Sequence, residues 1–457
     1  MKAKEVNFTS PALNRRQFIR TSGIGLAGAA MTAGFPNIIT ARAAPDDPIR
    51  IGVIGCGGRG TGAALDALKA ATDSIYPAAA GYHTEDAKEG AVAMAKNVSI
   101  MALADVFPDR LQRCREQIKK VGIEVAEEYC FTGFDAYKKL LAIPEINYVM
   151  LATPPHFRPM HLRAAVEAGK HVFMEKPVAV DVAGVRSVIE SGEIAAKKGL
   201  TIGAGTQRRY DNTFQEAIAR IHSGEIGEIR SGISRWLLSE MWFVERQPGW
   251  TDMEAQLRNW MYYNWLSGDI FVEQFIHSID MVNWVVGAHP TKAIGLGGRQ
   301  VRTDPKFGNI YDHFSVQYEY PGDVTIFCLD RQMNGTASRI DDAIIGSKGR
   351  ANFTYMGTSL RTLDGQAWRF RGETNNPYQA EHDAFIAAIR NGQPINEARQ
   401  IAESTMTAII GREAVYSGQE IEWDAAMKSP QDFTLKEYKF GELPVDPVPM
   451  PGKYKFV

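Results

Sequence analysis

The feature that most constrains this chain is a glycine-rich turn at residues 50–60, which read Arg-Ile-Gly-Val-Ile-Gly-Cys-Gly-Gly-Arg-Gly. A short β-branched run leads into Gly55-x-Gly57-x-x-Gly60, and a helix-compatible stretch follows at residues 61–69. In this pattern the first glycine permits the turn, the second lets a pyrophosphate approach the backbone, and the third lets the helix pack on the strand. The strand–turn–helix context predicts a dinucleotide-binding loop formed by Gly55, Gly57, Gly58, Arg59 and Gly60.

A carboxylate suited to an adenosine ribose follows at the end of the next hydrophobic run, residues 99–105. A carboxylate at that strand end accepts hydrogen bonds from the ribose hydroxyls and repels a 2′-phosphate, so Asp105 predicts NAD rather than NADP. Asp105 lies 45 residues after Gly60, whereas the usual separation is about 20 residues. We attribute the excess to an insertion at residues 72–97. The alternative is that Asp105 only forms a turn after a strand.

The first 43 residues have the pattern of an export signal rather than of a folded domain. Residues 14–20 match a twin-arginine motif, a weakly apolar Gly/Ala-rich stretch follows, and Ala41-Arg42-Ala43 is typical of a cleavage site. The apolar stretch is too short and too glycine-rich to span a membrane. We expect the twin-arginine machinery to export the chain, with a mature protein that begins near Ala44 and works in the periplasm or attached to its surface. A disordered basic tail is the alternative.

Length and composition restrict the remaining possibilities. A chain of 457 residues is too long for one hydrophobic core, so two domains are expected. A formal net charge of −2 provides no basic field for nucleic acid or an anionic membrane, and both partners are set aside. No zinc-type spacing or internal repeat is present. We expect free, mostly buried thiols, with a Cys114–Cys130 disulfide left open, at Cys56, Cys114, Cys130 and Cys328.

Strand-like and helix-like segments alternate up to about residue 205, which predicts an α/β domain with a doubly wound parallel sheet of the Rossmann type. Ligands bind beyond the carboxyl ends of the strands in such sheets. Two loops fall at that edge, one at residues 153–156 and one at residues 175–177. We therefore expect these loops to contact the cofactor through Thr153, Pro154, His156, Glu175 and Lys176.

The pattern changes past Thr206, where longer strand-like runs follow one another, the first at Ile229–Leu238, and Pro321-Gly322-Asp323 joins two later ones as a hairpin turn. This predicts an α+β domain on a mostly antiparallel open sheet, with the aromatic-rich residues 242–265 as a cleft-lining loop. The final residues form an arm that embraces a neighbour or a loose end. The expected division is a signal peptide at 1–43, an NAD-binding Rossmann domain at 44–205, a substrate and oligomerisation domain at 206–427 and the arm or tail at 428–457.

Two motifs carry groups suited to acid–base chemistry. In Glu175-Lys176-Pro177 the lysine is a flexible charged donor at the sheet edge, although the same tripeptide also forms ordinary surface salt bridges. Glu273 and His277 are four residues apart and Asp280 is three further on, which would place all three on one face of a helix. Histidine has a suitable pKa to take a hydroxyl proton, and a carboxylate would orient it. A structural histidine capped by an acid is the alternative.

Together these motifs resemble the Gfo/Idh/MocA oxidoreductases, which include glucose–fructose oxidoreductase and inositol dehydrogenase. The resemblance covers about residues 48–425 and rests on the glycine loop, the two carboxyl-edge loops, Gln207-Arg208-Arg209-Tyr210 and the segment that ends in His277. It implies that Lys176 binds and polarises the reacting hydroxyl and that His277 acts as acid or base. The family commonly has an aspartate four residues before this histidine, where this chain has Glu273.

The resemblance implies reversible hydride transfer between NAD and a secondary hydroxyl of a sugar or glycoside, with C3 of a pyranoside suggested by periplasmic members of the family. It also implies dimers or tetramers that form through the open sheet, so we expect a homodimer or homotetramer. The carbohydrate substrate is expected to meet an aromatic, basic and acidic set of side chains, namely Arg208, Arg209, Tyr210, Trp265 and Asp280.

Three alternatives stay open. The first is an NAD-dependent glycosidase that works by transient oxidation and elimination, although Ile276-His277-Ser278 lacks the His-Gly segment that those relatives share. The second is an oxidoreductase that never releases its cofactor, oxidising one sugar and reducing another. The third is a non-catalytic, dinucleotide-stabilised sugar-binding protein, which would have no need for both Lys176 and His277.

Overall fold

The computed structural model describes residues 47–75, 84–354 and 357–456, and the statements below concern these residues. The expected signal peptide at residues 1–43 lies outside them. Within the described part, no helix combines the length and the apolar character that crossing a membrane requires. Cys114 and Cys130 are both free thiols, as are Cys56 and Cys328.

A six-stranded parallel sheet forms the first half of the fold, as the alternation predicts. The elements of this half are β1 (Ile49–Ile54), α1 (Gly58–Ala67), β2 (Thr72–Ser74), β3 (Glu85–Ala87), β4 (Val98–Asp105), α2 (Pro108–Lys120), β5 (Cys130–Thr132), α3 (Ala136–Leu141), β6 (Tyr148–Leu151), α4 (Arg158–Glu167), β7 (His171–Met174), α5 (Val182–Lys198) and β8 (Ile202–Ala204). The strands of the parallel sheet are ordered β5–β4–β1–β6–β7–β8.

The local sequence explains why these elements begin and end where they do. All four residues of β6 are buried, as expected for a central parallel strand that helices cover on both faces. Helix α5 begins after Asp181, whose carboxylate accepts a hydrogen bond from the Gly184 amide at 2.7 Å, and ends at Gly199 with φ +67°. The expected insertion contains β2 and β3, which pair as a small antiparallel hairpin outside the main sheet.

A nine-stranded sheet forms the second half. The elements are α6 (Asn212–His222), β9 (Ile229–Leu238), α7 (Asp252–Arg258), α8 (Asn264–Ser267), α9 (Asp269–Glu273), α10 (Ile276–Val286), β10 (Lys292–Gly298), β11 (His313–Tyr320), β12 (Val324–Gln332), β13 (Arg339–Gly346), β14 (Gly349–Thr354), β15 (Gly357–Thr362), β16 (Ala367–Arg369), α11 (Pro377–Asn391), α12 (Ala398–Ser417), β17 (Ile421–Glu422) and α13 (Trp423–Ala426). The strand order is β16–β15–β14–β13–β9–β12–β11–β10–β17, and only the β9–β12 pair is parallel.

The chain returns to the first half after the second sheet. Helix α11 packs on α1, and α12 packs on α5. The contact with the parallel sheet is close, because a Cβ atom at Gly203 of β8 would lie 2.4 Å from the Phe385 ring of α11. The two halves of the fold therefore pack directly against each other.

Residues 428–456, which we call the C-terminal strap, contact both halves of the same chain. The Phe433 amide donates to the Asp181 carboxylate at 2.7 Å in the first half. In the second half, Gln256 donates to the Leu443 carbonyl at 2.7 Å, and the Tyr311 hydroxyl donates to the Pro449 carbonyl at 2.7 Å. The strap is therefore held by its own chain rather than loose, and an arm that embraces a neighbour stays a prediction.

Candidate active site

A cavity of about 660 Å³ lies at the carboxyl edge of the parallel sheet and is lined by both halves of the fold. The first half contributes the glycine loop, Asp105 and the two carboxyl-edge loops, and the second half contributes β9, α7 and the start of α10. This is the edge where ligands bind in doubly wound sheets. The site that the sequence predicts therefore corresponds to a real concave surface.

The glycine loop has the geometry that a pyrophosphate needs. Gly55 has φ +97°, and a Cβ atom on Gly60 would lie 1.8 Å from the Gly55 carbonyl oxygen, so both positions require glycine. A Cβ atom on Gly57 would meet nothing within 4 Å, which leaves the backbone open toward the cavity. Helix α1 has no side-chain cap at Gly57, so its first amides are available to an anion. The loop fits a dinucleotide.

Arg59 lines the cavity but points into a group of three carboxylates, of which the sequence analysis singled out only Glu175. Its guanidinium lies 2.5 Å from Glu175 of the Glu-Lys-Pro loop, 3.3 Å from Asp66 of α1 and 3.6 Å from Glu381 of α11. Burial raises the pKa of Asp66 to about 7 and raises the pKa of Glu381 as well. Arg59 and Glu175 thus tie the glycine loop to the next carboxyl-edge loop.

Asp105 occupies the expected place at the end of β4 and lines the cavity. Its carboxylate accepts hydrogen bonds from the backbone amides of Cys56, at 2.6 Å, and Phe107, at 2.8 Å. Burial raises the pKa of Asp105. Because each carboxylate oxygen has two lone pairs, one remains on each oxygen for a ribose hydroxyl. The backbone therefore fixes Asp105 in an orientation that suits an adenosine ribose.

The 153–156 loop divides between the wall and the interior. Thr153 and Pro154 line the cavity, whereas His156 is buried behind the wall. The Nε2 atom of His156 lies 2.7 Å from the Tyr438 hydroxyl of the strap. Burial lowers the pKa of His156 to about 4. The structure thus brings the first two residues of this loop to the cofactor site, but it gives His156 a contact with the strap instead.

Lys176 crosses from the first half to the second. Its ammonium donates to the Glu273 carboxylate at 2.9 Å and to the Glu273 main-chain carbonyl at 2.7 Å. Both side chains are largely buried, with 13% and 7% of their surface exposed. An ammonium group has three N–H bonds, so one remains to donate to a ligand in the cavity.

The single helix expected for Glu273, His277 and Asp280 is divided in two, which corrects that expectation. Helix α9 ends at Glu273, and α10 begins at Ile276. The Phe275 amide reaches back to the Ile270 carbonyl and the His277 amide to the Gln274 carbonyl, so the α-helical ladder is interrupted between them. His277 still lines the cavity beside Lys176 and Glu273, with its ring 5.6 Å from that of Trp236 and the planes 18° apart.

Asp280 faces away from the large cavity and lines only a small one, of about 10 Å³, that shares Lys176 and His277. Its carboxylate accepts two hydrogen bonds from Arg209, at 2.8 and 3.0 Å, and one from Ser404 at 2.8 Å. These three bonds give Asp280 a structural environment, in contrast to the substrate contact expected from the sequence.

Of the remaining residues expected to contact the substrate, one lines the cavity and three do not. Arg208 lines the cavity, and its guanidinium donates to Asp342 at 3.1 Å and to the His277 carbonyl at 3.3 Å. The cavity wall does not include Arg209, Tyr210 or Trp265. Arg209 binds Asp280, Tyr210 donates to Glu397 at 2.7 Å, and Trp265 donates to Gln256 at 2.8 Å. Polar partners inside the protein, rather than the cavity, hold these three side chains.

Sequence reasoning missed several residues of the wall. Phe107 and Arg258 line the end marked by Asp105, and Trp236 lines the end that contains His277. Trp236 lies on β9, which the sequence analysis recognised only as a strand, and Arg258 lies in the stretch that was expected to line the cleft. The aromatic character of that stretch was the only signal for it, because Phe107 and Asp109, which hold Arg258 against the first half, are remote from it in the sequence.

Comparison with protein families agrees with this geometry. A model described as oxidoreductase family, NAD-binding Rossmann fold, matches residues 49–206, and one described as GFO/IDH/MocA C-terminal domain matches residues 214–352. Fold and site thus define an NAD-binding oxidoreductase with a Rossmann domain and a second, sheet-based domain. The chain belongs to the Gfo/Idh/MocA family.

Two individual relatives share about a quarter of their aligned residues with this chain. Myo-inositol 2-dehydrogenase of Thermotoga maritima is 25% identical over 359 residues, which cover 76% of this chain and 90% of that enzyme. The scyllo-inositol 2-dehydrogenase (NAD(+)) of Bacillus subtilis is 28% identical over 298 residues, which cover 62% and 78%.

Solved structures share the fold. Aldose-aldose oxidoreductase from Caulobacter crescentus, complexed with glycerol, has a TM-score of 0.61 at 19% identity and covers 82% of this chain and 99% of its own. Scyllo-inositol dehydrogenase from Lactobacillus casei, with bound NAD(H) and scyllo-inositol, has a TM-score of 0.60 at 19% identity and covers 83% and 100%.

Proposed function

We propose that this protein oxidises a secondary hydroxyl of a ring-shaped polyol, a sugar, glycoside or cyclitol, and transfers the hydride to NAD. The observation that carries the proposal is that Lys176 and His277 line the same cavity as the glycine loop and Asp105. Gly57 and Asp105 would hold a dinucleotide in the cavity that Lys176 and His277 also line, and these two groups can act on a hydroxyl proton. When bound, NAD supplies the hydride acceptor.

Lys176 binds and polarises the reacting hydroxyl in this proposal. Two of its N–H bonds are directed at Glu273, and the third donates to the substrate oxygen. The positive charge stabilises negative charge that develops on that oxygen as the carbon–hydrogen bond breaks. Glu273 contacts the lysine directly, so it orients the ammonium and partly balances its charge.

His277 takes the hydroxyl proton in the oxidation and returns it in the reverse reaction. Its imidazole is stacked on the Trp236 ring, and Arg208 binds the His277 carbonyl, so both ring and backbone are held in place. Arg208 also faces the cavity, where its planar guanidinium suits neighbouring substrate hydroxyls.

The relatives support a cyclic polyol as the substrate class, since two of them are named as inositol dehydrogenases acting at one ring position. The resemblance to periplasmic members of the family favours a glycoside oxidised at C3. Nothing in the site favours glycoside cleavage by transient oxidation, and product analysis distinguishes it from simple oxidation.

The test combines purified protein, NAD and a panel of inositols, aldoses and glycosides, with absorbance of reduced nicotinamide as the signal. We expect reduction with at least one member of the panel and a keto product that keeps any glycosidic bond. Release of free sugar from a glycoside would identify the glycosidase alternative. Bound NAD without reduction by any member of the panel would leave the non-catalytic alternative and overturn the proposal.

We also propose that the chain is exported by the twin-arginine route to the periplasm and works as a homodimer or homotetramer. The leader motif at residues 14–20 supports export. Support for the oligomer comes from apolar side chains exposed on one face of the second sheet, namely Ile294, Leu296, Phe327 and Ile345. Cell fractionation tests the first proposal, and light scattering of the purified protein tests the second. A monomer at micromolar concentration would contradict the latter.

A further inference from the structure

A guanidinium from the second half crosses to the first half at the end of the cavity marked by Asp105. Arg258, the last residue of α7, forms two hydrogen bonds with Asp109 at the start of α2, at 3.0 and 3.2 Å. A third bond to Glu254 of its own helix, at 3.0 Å, fixes the side chain. The paired geometry is the strong, oriented form of an arginine–carboxylate contact.

Two aromatic rings flank the same guanidinium. Its central carbon lies 4.0 Å from the centre of the Phe107 ring and 4.8 Å from that of Trp250. Phe107 and Arg258 both line the cavity, and the Phe107 amide is one of the two donors that hold Asp105. Arg258 therefore forms a wall beside the carboxylate that suits the adenosine ribose.

The C-terminal strap supports this wall from behind. The Phe440 ring lies 6.0 Å from that of Phe107 and 5.2 Å from that of Phe134, another residue of the cavity wall. The strap also binds the helix that carries Arg258, since the Met253 amide donates to the Gly441 carbonyl at 3.1 Å. The Leu443 amide donates to the Asp252 carboxylate at 3.2 Å in the same helix.

We propose that Arg258 and the C-terminal strap close the adenosine end of the cavity and retain NAD between turnovers as a resident group. The inference deepens the proposed function, since it concerns the same cavity. The glycine loop and Asp105 bind the dinucleotide from the first half, as in any Rossmann domain. Arg258 adds a contact from the second half, so release of NAD requires the two halves to separate at α7 or the strap to lift.

The test measures the loss of cofactor directly. Holoprotein loaded with NADH is mixed with excess NAD, and the decay of nicotinamide fluorescence gives the dissociation rate. We expect the wild-type protein to keep its nucleotide through gel filtration. We expect Arg258→Ala to release NADH about tenfold faster, the effect of losing one stacked, paired guanidinium.

Arg220→Ala is the matched control. Arg220 also pairs with glutamates, Glu216 and Glu225, and lies 4.6 Å above the ring of Trp368, but it does not line the cavity. This variant should keep the wild-type dissociation rate. Circular dichroism of both variants checks that each is folded before rates are compared.

Phe440→Ala tests the strap without changing any residue of the cavity wall, and it should accelerate release of NADH by a smaller factor. Val445→Ala, at an exposed strap position, should leave the release rate unchanged. Wild-type protein that loses NADH as fast as Arg258→Ala would overturn the inference, as would an unchanged rate in Arg258→Ala. Either result leaves the proposed oxidation intact. Conversely, slow release with no reduction by any polyol would overturn the proposed function and leave the retention.

Discussion

The two ends of the cavity hold their functional groups by different means. At the reaction end, Lys176 and Glu273 come from different halves of the fold and contact each other directly, with little exposure to solvent. At the adenosine end, backbone amides hold Asp105, and the amide donors belong to the same half of the fold. The guanidinium of Arg258, from the second half, then lies over the Phe107 ring beside this carboxylate.

This difference separates the consequences of substitution. A buried ion pair leaves an unpaired charge when one partner is removed, so the reaction end couples catalysis to stability. A carboxylate fixed by backbone amides depends on main-chain geometry, which a distant side chain does not alter. We therefore expect variants at the reaction end to lose turnover and variants at the adenosine end to lose nucleotide, with little crossover between the two.

The largest effect is expected at the reaction end. Lys176→Met should lower kcat about 10³-fold, because it removes a donor directed at charge that develops in the transition state. Affinity for NAD, measured by fluorescence titration, should stay within about twofold of wild type, since the adenosine end is intact. A large loss of NAD affinity would break the proposed separation of the two ends.

Lys176→Met also leaves Glu273 buried without its partner, so the double variant with Glu273→Gln separates chemistry from stability. The double variant should regain part of the lost melting temperature while kcat stays low. Lys198→Met is the control, because Lys198 also donates to two main-chain carbonyls, of Val166 and Glu167, but lies outside the cavity wall. Its kcat should match wild type.

The second effect is a loss of folding stability at acidic pH, caused by His156, which contacts the strap. Burial lowers the pKa of His156 to about 4, so the folded protein binds a proton at this site less readily than the unfolded chain, whose pKa is near 6.5. Stability from this group is complete above pH 6.5 and is lost as the pH falls toward 4. Linkage gives a loss of about 2 kcal/mol between pH 7.5 and pH 5.

Urea unfolding of wild type and His156→Asn at both pH values isolates that contribution, because other groups titrate equally in the two proteins. The wild-type protein should lose about 2 kcal/mol more than the variant. Since His156 contacts Tyr438 of the strap, acid should also accelerate release of NADH. An equal loss in both proteins would show that His156 is not kept neutral in the fold.

The third effect tests whether backbone geometry controls NAD binding at the adenosine end, through substitutions in the glycine loop. Gly57→Ala should lower NAD affinity about tenfold, because the added methyl projects into the open space where a pyrophosphate approaches. Its melting temperature should not change, since that methyl meets no atom within 4 Å. Gly60→Ala, whose methyl would strike the Gly55 carbonyl, should lose both affinity and stability. If Gly57→Ala binds NAD with unchanged affinity, the pyrophosphate does not bind next to Gly57.

The smallest effect is expected for Asp105→Asn. The amide keeps one oxygen acceptor but loses the charge that repels a 2′-phosphate, so the preference for NAD over NADP should narrow about fivefold. Titration with both reduced nucleotides measures the ratio. With saturating NAD, kcat should match wild type, and a drop in kcat would show that the two ends communicate.

Much of the first half could be predicted from the sequence because its signals are local. Gly55 and Gly60 mark the glycine loop because its geometry requires glycine at both positions, and the buried strands are recognisable as short apolar runs. Strand β9 was predicted with the bounds observed, Ile229–Leu238. This strand belongs to the second half, but its signal is also local, because apolar and polar residues alternate along the strand itself.

The features that the sequence did not reveal depend on remote partners. The interruption between Glu273 and Ile276 has no proline or glycine to mark it, and the helical spacing of Glu273 and His277 suggested one continuous helix. Strands β14 to β16 lack long apolar runs, so they are defined only by pairing, of β14 with β13, of β15 with β14 and of β16 with β15. The roles of Arg209 and Tyr210 also depend on distant carboxylates, since nothing near them in the chain indicates Asp280 or Glu397.

The strap has a consequence for the order in which the protein is made. His156 and its strap partner Tyr438 are 282 residues apart, so at about 5–20 residues per second the ribosome adds the second roughly 14–56 s after the first. During that interval the glycine loop and Asp105 are already synthesised, while the segment that backs their outer wall does not yet exist. A nucleotide that binds the nascent chain early exchanges freely, and firm capture waits for the final stretch of translation.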